Sequence, residues 1–170
     1  MKPLETHGLI MRVEKFHRGM IPQWMLHDHF REVAQVMRTI VDKPDPDYGI
    51  YEREQEKGHT VFVAVRDHKV LNLVGYVGLL LKPHPHYRGI TMAIDDAYYL
   101  MPGYREVGVG TLMMRYAEAA AAEAGAQIMF IRVKSQHSHG SLLERLGYQL
   151  EDLTYKKDLR HVAQESAAAE

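Results

Sequence analysis

The stretch "YREVGVGTLMMRYAEAAAAEAG", residues 104–125, places two glycines at the start of an alanine-rich segment with helical periodicity. Glycine is unfavourable inside a helix, so two glycines at a helix start indicate that something approaches the backbone closely there. The first N–H groups of a helix lack carbonyl partners within it, and the helix dipole is positive at that end. We therefore expect an anionic group, above all a phosphate, beside Gly108 and Gly110, with Arg105 adding charge-assisted hydrogen bonds.

Two common phosphate-binding motifs do not fit this turn. A P-loop requires Lys followed by Ser or Thr after its last glycine, whereas Gly110 is followed by Thr111 and Leu112. A dinucleotide-binding fingerprint requires a third glycine at the position of Met113 and an acidic residue after the next strand, and both are missing. A third pattern, Arg/Gln-x-x-Gly-x-Gly/Ala at a strand-to-helix turn, matches "REVGVG" in full.

The composition is that of one globular domain. The 170 residues are 46% hydrophobic and 25% charged with a formal net charge of −1, which gives no indication of binding to nucleic acid or anionic membrane. The absence of cysteine excludes disulfides, thiolate zinc sites and a cysteine nucleophile, and it fits a reducing compartment. No secretory signal is visible, and the apolar stretch over residues 73–81 is too short to span a bilayer. We expect a cytoplasmic protein with one domain over residues 1–160 and a flexible tail over 161–170.

The periodicity along the chain predicts the element order β-α-β-β-β-α-β-α-β. Strands are predicted at residues 9–13, 61–66, 70–81, 90–101 and 128–133, with one or two closing strands between 148 and 159. Helices are predicted at residues 22–41, 111–124 and about 138–146, the last ending at Gly147 in a left-handed cap. Residues 42–60 are predicted to be a loop with one helical turn. Hairpins followed by a crossover helix predict an α/β (α+β) fold, with a mixed, mainly antiparallel sheet flanked by helices.

The segment around the glycine turn resembles a known family. "AIDDAYYLMPGYREVGVGTLMMRYAEAAAAEAG", residues 93–125, resembles motif A of the GCN5-related N-acetyltransferase (GNAT) superfamily, and "SLLERLGY", residues 141–148, resembles the family's next helix. The sequence is also similar to uncharacterised members carried by bacteriophages. The resemblance implies an acyl-CoA N-acyltransferase fold and transfer of an acetyl group from acetyl-CoA directly to a primary amine of a small molecule or protein. A homodimer is a further expectation at family level.

The resemblance assigns the CoA site to the end of one strand and to the glycine turn. In the family, free backbone N–H groups at the end of the strand before the turn hold the pantetheine and thioester, and the corresponding residues here are Leu100 and Met101. The turn that holds the pyrophosphate corresponds to Arg105, Glu106, Val107, Gly108, Val109, Gly110 and Thr111. An asparagine that the family carries further along the chain has Gln136 as its nearest equivalent.

The resemblance also implies a carboxylate base on the strand before the turn. Asp95 and Asp96 occupy that region within an otherwise apolar strand. Adjacent residues of a strand point to opposite faces, so at most one of the two ordinarily faces the acceptor cleft, and Asp96 is favoured. The alternative is that one aspartate pairs structurally and the other is solvated.

The sequence departs from the family pattern at the position of the general acid. The family's tyrosine, four residues before the glycine of the Gly-Tyr pair, is replaced by Leu143, which cannot donate a proton. Candidates to replace it are Ser138, His139, Ser141, Tyr98 and Tyr99, and the proton could also come from water or from the acceptor ammonium. A second interpretation therefore stays open, in which the chain is a non-catalytic acyl-CoA-binding or host-interaction module on the same fold.

Histidine pairs suggest a rival metal site. His27 with His29, His84 with His86 and His137 with His139 are each two residues apart. The first pair falls on a predicted helix, where such residues diverge, and no cysteine is present to complete a site. We predict no metal site, and we expect His84, His86 and Tyr87 to line the acceptor cleft.

The segment over residues 42–57 is mildly acidic. Six acidic residues, Asp42, Asp45, Asp47, Glu52, Glu54 and Glu56, outnumber three basic ones. In the family this region contributes to the acceptor cleft, so an acidic lip would favour a polyamine, an aminoglycoside-like molecule, or a protein lysine or N-terminus. The alternative is a solvated loop.

Overall fold

Six strands form one sheet in the order of the chain. The computed structural model describes residues 1–33, 41–105, 108–133, 140–155 and 159. The strands are β1 (Leu4–Thr6), β2 (Leu9–Val13), β3 (Thr60–Asp67), β4 (Leu73–Pro83), β5 (Thr91–Leu100) and β6 (Ile128–Phe130). Neighbours from β1 to β5 are antiparallel, and β6 runs parallel to β5. The predicted mixed fold, with a mainly antiparallel sheet flanked by helices, is confirmed.

Helices cover both faces of the sheet. They are α1 (Gln23–Val33), α2 (Tyr48–Glu56), α3 (Val109–Glu123) and α4 (Gly140–Arg145). Helix α3 buries Met113, Tyr116 and Ala120 against one face, a spacing that places these side chains on one side of a helix. The opposite face carries a second cluster, to which α1 contributes Met25 and Leu26.

The alternation of side chains along β3 explains why its sequence is apolar throughout. Val61, Val63 and Val65 belong to the cluster under α3, whereas Phe62 and Ala64 belong to the cluster under α1. Successive residues of a strand point to opposite faces, so a strand buried on both sides needs apolar residues at every position. β3 therefore lies at the centre of the fold and separates the two cores.

Glycines end the two helices that flank β6. Gly147 follows α4 with a φ of 93°, and Gly147 N and Tyr148 N donate to the carbonyls of Glu144 and Leu143, each at 3.0 Å. This is a Schellman motif, and it confirms the predicted left-handed cap. Gly125 ends α3 in the same conformation, with a φ of 95°.

Several predicted boundaries are wrong. β1 was not predicted, and residues 48–56 form helix α2 because Asp47 caps them by accepting a hydrogen bond from Gly49 N at 2.9 Å. No strand forms over residues 148–155, where Leu150, Leu153 and Tyr155 are 82%, 74% and 90% exposed. Their alternating pattern requires a neighbouring strand and an apolar face to cover, and these side chains reach neither. The predicted tail over 161–170 and the predicted end of the first helix over 34–40 lie outside the described residues.

No helix in the described part of the chain has the length and apolar character needed to cross a membrane.

Candidate active site

The glycine turn connects the end of β5 to the start of α3. A short helical turn over Pro102–Tyr104 follows β5, and Gly108 is the N-cap of α3. Gly108 has a φ of 95°, a conformation that glycine adopts at little cost. A Cβ on Gly108 would meet no described atom within 4 Å, and one on Gly110 would meet only Leu142 Cδ2, at 3.7 Å. The packing of the described residues therefore leaves open space beside both glycines.

The first amide groups of α3 have no hydrogen-bond partner within the helix. In a helix that begins at Val109, the N–H groups of Val109, Gly110 and Thr111 have no carbonyl partner within the helix. The cap residue Gly108 contributes no side-chain hydrogen bond to them. Unpaired amides at the positive end of a helix dipole bind anions, and the two glycines let a bulky anion approach. These residues fit a pyrophosphate, the group that the sequence resemblance assigns to this turn.

Arg105 contacts helix α1 and the end of β5. Its Nε donates to the Leu100 carbonyl at 2.6 Å, and its Nη2 donates to the two carboxylate oxygens of Glu32 at 2.9 and 2.8 Å. Its guanidinium also lies over the Tyr99 ring, 5.5 Å from the centroid. The Glu32 carboxylate thus gives the Arg105 guanidinium a pair of charged acceptors, and the predicted contact of Arg105 with a phosphate stays a prediction.

Asp95 holds β5 and β6 together where their pairing stops. The last paired residues are Ile94 and Phe130. One step further, Asp95 Oδ1 accepts hydrogen bonds from Arg132 N at 2.8 Å and Arg132 Nε at 3.1 Å, and Arg132 Nη2 bonds the Asp95 carbonyl. Asp95 is only 5% exposed. Its carboxylate therefore has a structural role, and the sequence-based candidacy of Asp95 as a base is not supported by its position.

The backbone amides of Leu100 and Met101 differ in what they contact. The Met101 N–H donates to the Val74 carbonyl at 2.9 Å. This amide therefore belongs to the sheet and, contrary to the prediction, is not free. Successive residues of a strand direct their backbone groups to opposite sides, so the Leu100 amide faces away from β4. The Leu100 carbonyl accepts its hydrogen bond from Arg105 on that side. Of the two predicted residues, Leu100 alone presents its amide toward the side where β5 and β6 have separated.

A bulge in β5 sets the direction of Asp96. Gly78 pairs with Ala97 and the next residue of β4, Leu79, pairs with Asp95, which leaves Asp96 as the extra residue. Asp96 is exposed and lines a cavity on the face of the sheet that α1 and α2 cover, whereas Asp95 is buried against Arg132. The two adjacent aspartates thus lie in different surroundings, as expected for neighbours on a strand.

Tyr51 of α2 fixes the Asp96 carboxylate. The Tyr51 hydroxyl donates to Asp96 Oδ2 at 2.8 Å. Burial raises the pKa of the Tyr51 hydroxyl well above its usual range. The negative charge of Asp96 and the hydrogen bond to it raise this pKa further. Tyr51 is therefore a hydrogen-bond donor at every pH at which the protein is expected to work. Sequence reasoning did not find this residue, because 45 positions separate it from Asp96.

The cavity beside Asp96 is apolar and aromatic. It has a volume of about 210 Å³ and lies between α1, α2 and strands β3 to β5. Six aromatic side chains line it: Phe16, Phe30, Tyr48, Tyr51, Phe62 and Tyr76. A concave, mainly apolar surface with a single carboxylate is the usual form of a small-molecule site. We identify this cavity as the candidate acceptor site.

His29 is the one predicted histidine that lines this cavity among the described residues. Its Nδ1 is hydrogen-bonded to the Tyr76 hydroxyl at 2.7 Å, and its ring stacks on Tyr99 with centroids 5.3 Å apart. His84 and His86 lie in an exposed loop with ring centroids 5.9 Å apart. Contrary to the prediction, His84, His86 and Tyr87 do not line this cavity. No group of three or more metal-ligating side chains occurs in the part of the chain that the structure describes.

No general acid replaces the missing tyrosine within the described residues of α4. Leu143 is 8% exposed and packs inward, and Ser141 is exposed to solvent. Tyr98 is half-buried, and burial, with the nearby Asp95 charge, raises its pKa to about 12. Tyr99 is buried beside Arg105 and His29.

Five predicted site residues lie outside the described part of the chain: Glu106, Val107, Gln136, Ser138 and His139.

A comparison with protein families identifies the chain. Residues 24–148 match the model of the acetyltransferase (GNAT) family. The chain belongs to this family. The matched region of this GNAT protein includes the Asp96 strand, the glycine turn and helix α4, so the resemblance carried by these segments is confirmed. A search of curated protein sequences finds no significant match.

Solved acetyltransferase structures share the fold of this GNAT protein. A GCN5-related N-acetyltransferase from Ralstonia eutropha has 20% identity and a TM-score of 0.66, over 89% of this chain and 99% of that chain. An aminoglycoside acetyltransferase from an uncultured soil metagenomic sample has 15% identity and a TM-score of 0.64, over 88% and 97%. A ribosomal-protein-alanine N-acetyltransferase from Brucella melitensis biovar Abortus has 16% identity and a TM-score of 0.60, over 88% and 98%. The names of the last two proteins state different acceptors, so the shared fold does not specify the amine. The resemblance to bacteriophage-borne members stays a prediction.

Proposed function

We propose that this GNAT-family protein is an N-acetyltransferase that moves an acetyl group from acetyl-CoA directly to a primary amine bound in the cavity beside Asp96. The observation that carries the proposal is the Asp96 carboxylate, which lines an apolar cavity and lies on the strand that leads into the glycine turn. A carboxylate in that position accepts a proton from an acceptor ammonium next to the acyl donor.

The glycine turn is proposed to hold the pyrophosphate of acetyl-CoA. The amides of Val109, Gly110 and Thr111 donate to it, and Gly108 keeps the approach open. When bound, acetyl-CoA supplies the acyl group as a thioester. The Leu100 amide, which faces away from β4, is the proposed donor to the thioester carbonyl oxygen. Glu106, Val107 and Gln136 complete the proposed site.

The protein's own side chains account for the movement of protons. Tyr51 donates to Asp96 Oδ2 and leaves Oδ1 to accept a proton from the acceptor ammonium. The amine nitrogen then forms a C–N bond to the acyl carbon while the C–S bond breaks. Leu143 cannot protonate the departing thiolate, so we assign that proton to water or to the acceptor itself; thiolates are stable enough to leave without a strong acid.

The first test is calorimetric titration of the protein with CoA and acetyl-CoA, followed by a screen of amines for thiol release. We expect micromolar binding of both nucleotides and thiol release that depends on an added amine. Absence of binding would overturn the proposal, because the glycine turn would then be only a tight turn.

The second candidate function is a non-catalytic acyl-CoA-binding module. The observation that favours it is Leu143, a buried apolar side chain where the family carries its proton donor. This alternative predicts tight binding of acetyl-CoA with no amine-dependent thiol release. A host-interaction module on the same fold predicts no affinity for CoA. Alanine variants of Ser138 and His139, the two alternative donors, would lower turnover only if one of these side chains, and not water or the acceptor, protonates the thiolate.

A further inference from the structure

The wall of the acceptor cavity is a continuous surface of aromatic rings. The Phe16 centroid lies 5.1 Å from that of Tyr51 and 5.3 Å from that of Phe62, and Phe62 lies 5.9 Å from Tyr76. These rings come from the segment before α1, from α2 and from two neighbouring strands. An aromatic wall of this kind packs well against a flat apolar ligand.

The polar ends of these rings are already paired within the protein. The Tyr51 hydroxyl donates to Asp96 at 2.8 Å, and the Tyr76 hydroxyl is hydrogen-bonded to His29 at 2.7 Å. Among the described residues that line the cavity, Asp96 is the only carboxylate. The cavity can therefore neutralise one positive charge and offers mainly carbon surface to the rest of the ligand.

The acidic segment over residues 42–57 does not add charge to the cavity. Asp47 caps α2, and Glu54 contacts Lys57 and His59. Asp45 is exposed to solvent, and the residues on either side of it, Pro44 and Pro46, are the ones that line the cavity. The acidic lip was predicted to favour a polyamine, an aminoglycoside-like molecule, or a protein lysine or N-terminus. None of its six carboxylates is among the described residues that line the cavity, so their positions do not support that prediction.

The cavity has room for a single ring. An apolar cavity of about 150 Å³ accommodates benzene. The acceptor cavity, at about 210 Å³, has room for a ring of that size with a short arm. A polyamine or an aminoglycoside would bring further ammonium groups into a cavity whose described lining offers no second carboxylate to pair with them.

We propose that the acceptor is an arylalkylamine, a monoamine in which a short arm joins the ammonium to an apolar body about the size of a phenyl ring. The ring packs within the aromatic lining of the cavity, and the ammonium binds Asp96. This inference rests on the proposed function, because it concerns the acceptor of the same transfer.

The direct test compares acceptors at saturating acetyl-CoA by thiol release. The panel consists of phenethylamine, benzylamine, spermidine, kanamycin and a short peptide with a free N-terminal alanine. We expect kcat/KM for phenethylamine to exceed the values for spermidine, kanamycin and the peptide by about 100-fold or more, since misplaced polar groups are rejected strongly. Faster transfer to any of those three, or no transfer to phenethylamine, overturns the inference.

A cavity variant tests the placement of the ring. A Cβ on Gly78 would lie 3.7 Å from the Ala97 carbonyl oxygen and 4.0 Å from Phe62 Cδ2, which are ordinary contacts, so Gly78→Ala should fold. We expect kcat/KM for phenethylamine to fall about tenfold, kcat/KM for the ring-free propylamine to change less, and KM for acetyl-CoA to stay the same. The matched control is Ala119→Leu, which adds bulk at an exposed position of α3 on the other face of the sheet. Equal effects on both amines would contradict the placement.

Calorimetry with acetyl-CoA separates this inference from the function on which it rests. If acetyl-CoA does not bind, the proposed function fails and the acceptor inference fails with it. If acetyl-CoA binds and spermidine, kanamycin or the peptide is preferred to both phenethylamine and benzylamine, the acceptor inference alone is wrong.

Discussion

At the scale of single residues, two adjacent aspartates have different surroundings and therefore different expected roles. Asp95 is buried and bonded to Arg132, which ties β5 to the segment after β6. Asp96 is the extra residue of a bulge and lines the acceptor cavity beside Tyr51. Sequence alternation predicted that the two would face apart. The bulge and the Tyr51 contact could not be predicted, because neither leaves a local signal in the sequence.

The Asp96→Asn variant tests the proposed base. The amide cannot accept the proton of the acceptor ammonium, so kcat should fall by about 100-fold while the affinity for acetyl-CoA is retained. Thiol-release kinetics and calorimetry measure the two quantities. Asp152→Asn, an exposed aspartate in the segment after α4, is the matched control. Equal loss of turnover and CoA affinity would indicate a structural role for Asp96.

The Asp95→Ala variant tests the structural role of the neighbouring carboxylate. Removing it leaves the Arg132 amide and guanidinium without this partner, and we expect the free energy of unfolding to fall by about 2–3 kcal/mol. Urea unfolding measures the change. Asp96→Ala is the comparison and should cost less than about 1 kcal/mol, because Asp96 is exposed. The assignment is wrong if the two variants are equally destabilised.

At the scale of secondary-structure elements, short local signals were predicted well and contacts between elements were not. Gly108 and Gly147 act through their own backbone conformation, which the sequence indicates directly. The contact between Glu14, just after β2, and Arg66 of β3 joins residues 52 positions apart. His29 and Tyr76, which are hydrogen-bonded in the cavity wall, are likewise 47 positions apart. The residues that form the wall therefore could not be predicted from the sequence.

The Glu14 contact gives a prediction about acid stability. Glu14 accepts hydrogen bonds from Arg66 Nε and Nη2, each at 2.7 Å, and these hold the pKa of Glu14 below its ordinary value of 4.5. A lowered pKa stabilises the fold above the unfolded-state pKa, and this contribution is lost as the pH falls through the folded-state pKa. Glu14→Gln should therefore cost about 1–2 kcal/mol at neutral pH and much less in acid. Urea unfolding at both pH values checks this, and a pH-independent difference would contradict it.

At the scale of the whole molecule, the fold brings two sites to the same strand from different sides. The acceptor cavity lies under α1 and α2 beside Asp96, and the glycine turn follows the end of β5 at Leu100. Family and fold class followed from the sequence because the glycine turn and its flanking elements are contiguous in the chain. The chemistry of the acceptor did not follow from the sequence, because the described residues that line the cavity come from five separate segments.

Two sites on one strand predict direct transfer in a ternary complex. The chain has no cysteine, so a thiol cannot carry the acetyl group between the sites. Double-reciprocal plots of rate against the two substrates should intersect, and mass spectrometry after incubation with acetyl-CoA alone should show unmodified protein. Parallel lines together with an acetylated side chain would indicate a two-step mechanism instead.

The central claim is that the glycine turn binds acyl-CoA, and calorimetric titration of CoA into Gly108→Ala and Gly125→Ala tests it most directly. Both glycines have a φ of 95°, and a Cβ on either would meet no described atom within 4 Å. The two variants should therefore carry similar strain, about 1–2 kcal/mol. We expect Gly108→Ala, at the start of α3, to weaken CoA binding at least about tenfold and Gly125→Ala, at its end, to leave it unchanged. Unchanged binding to Gly108→Ala, or equal weakening in both variants, would contradict the claim.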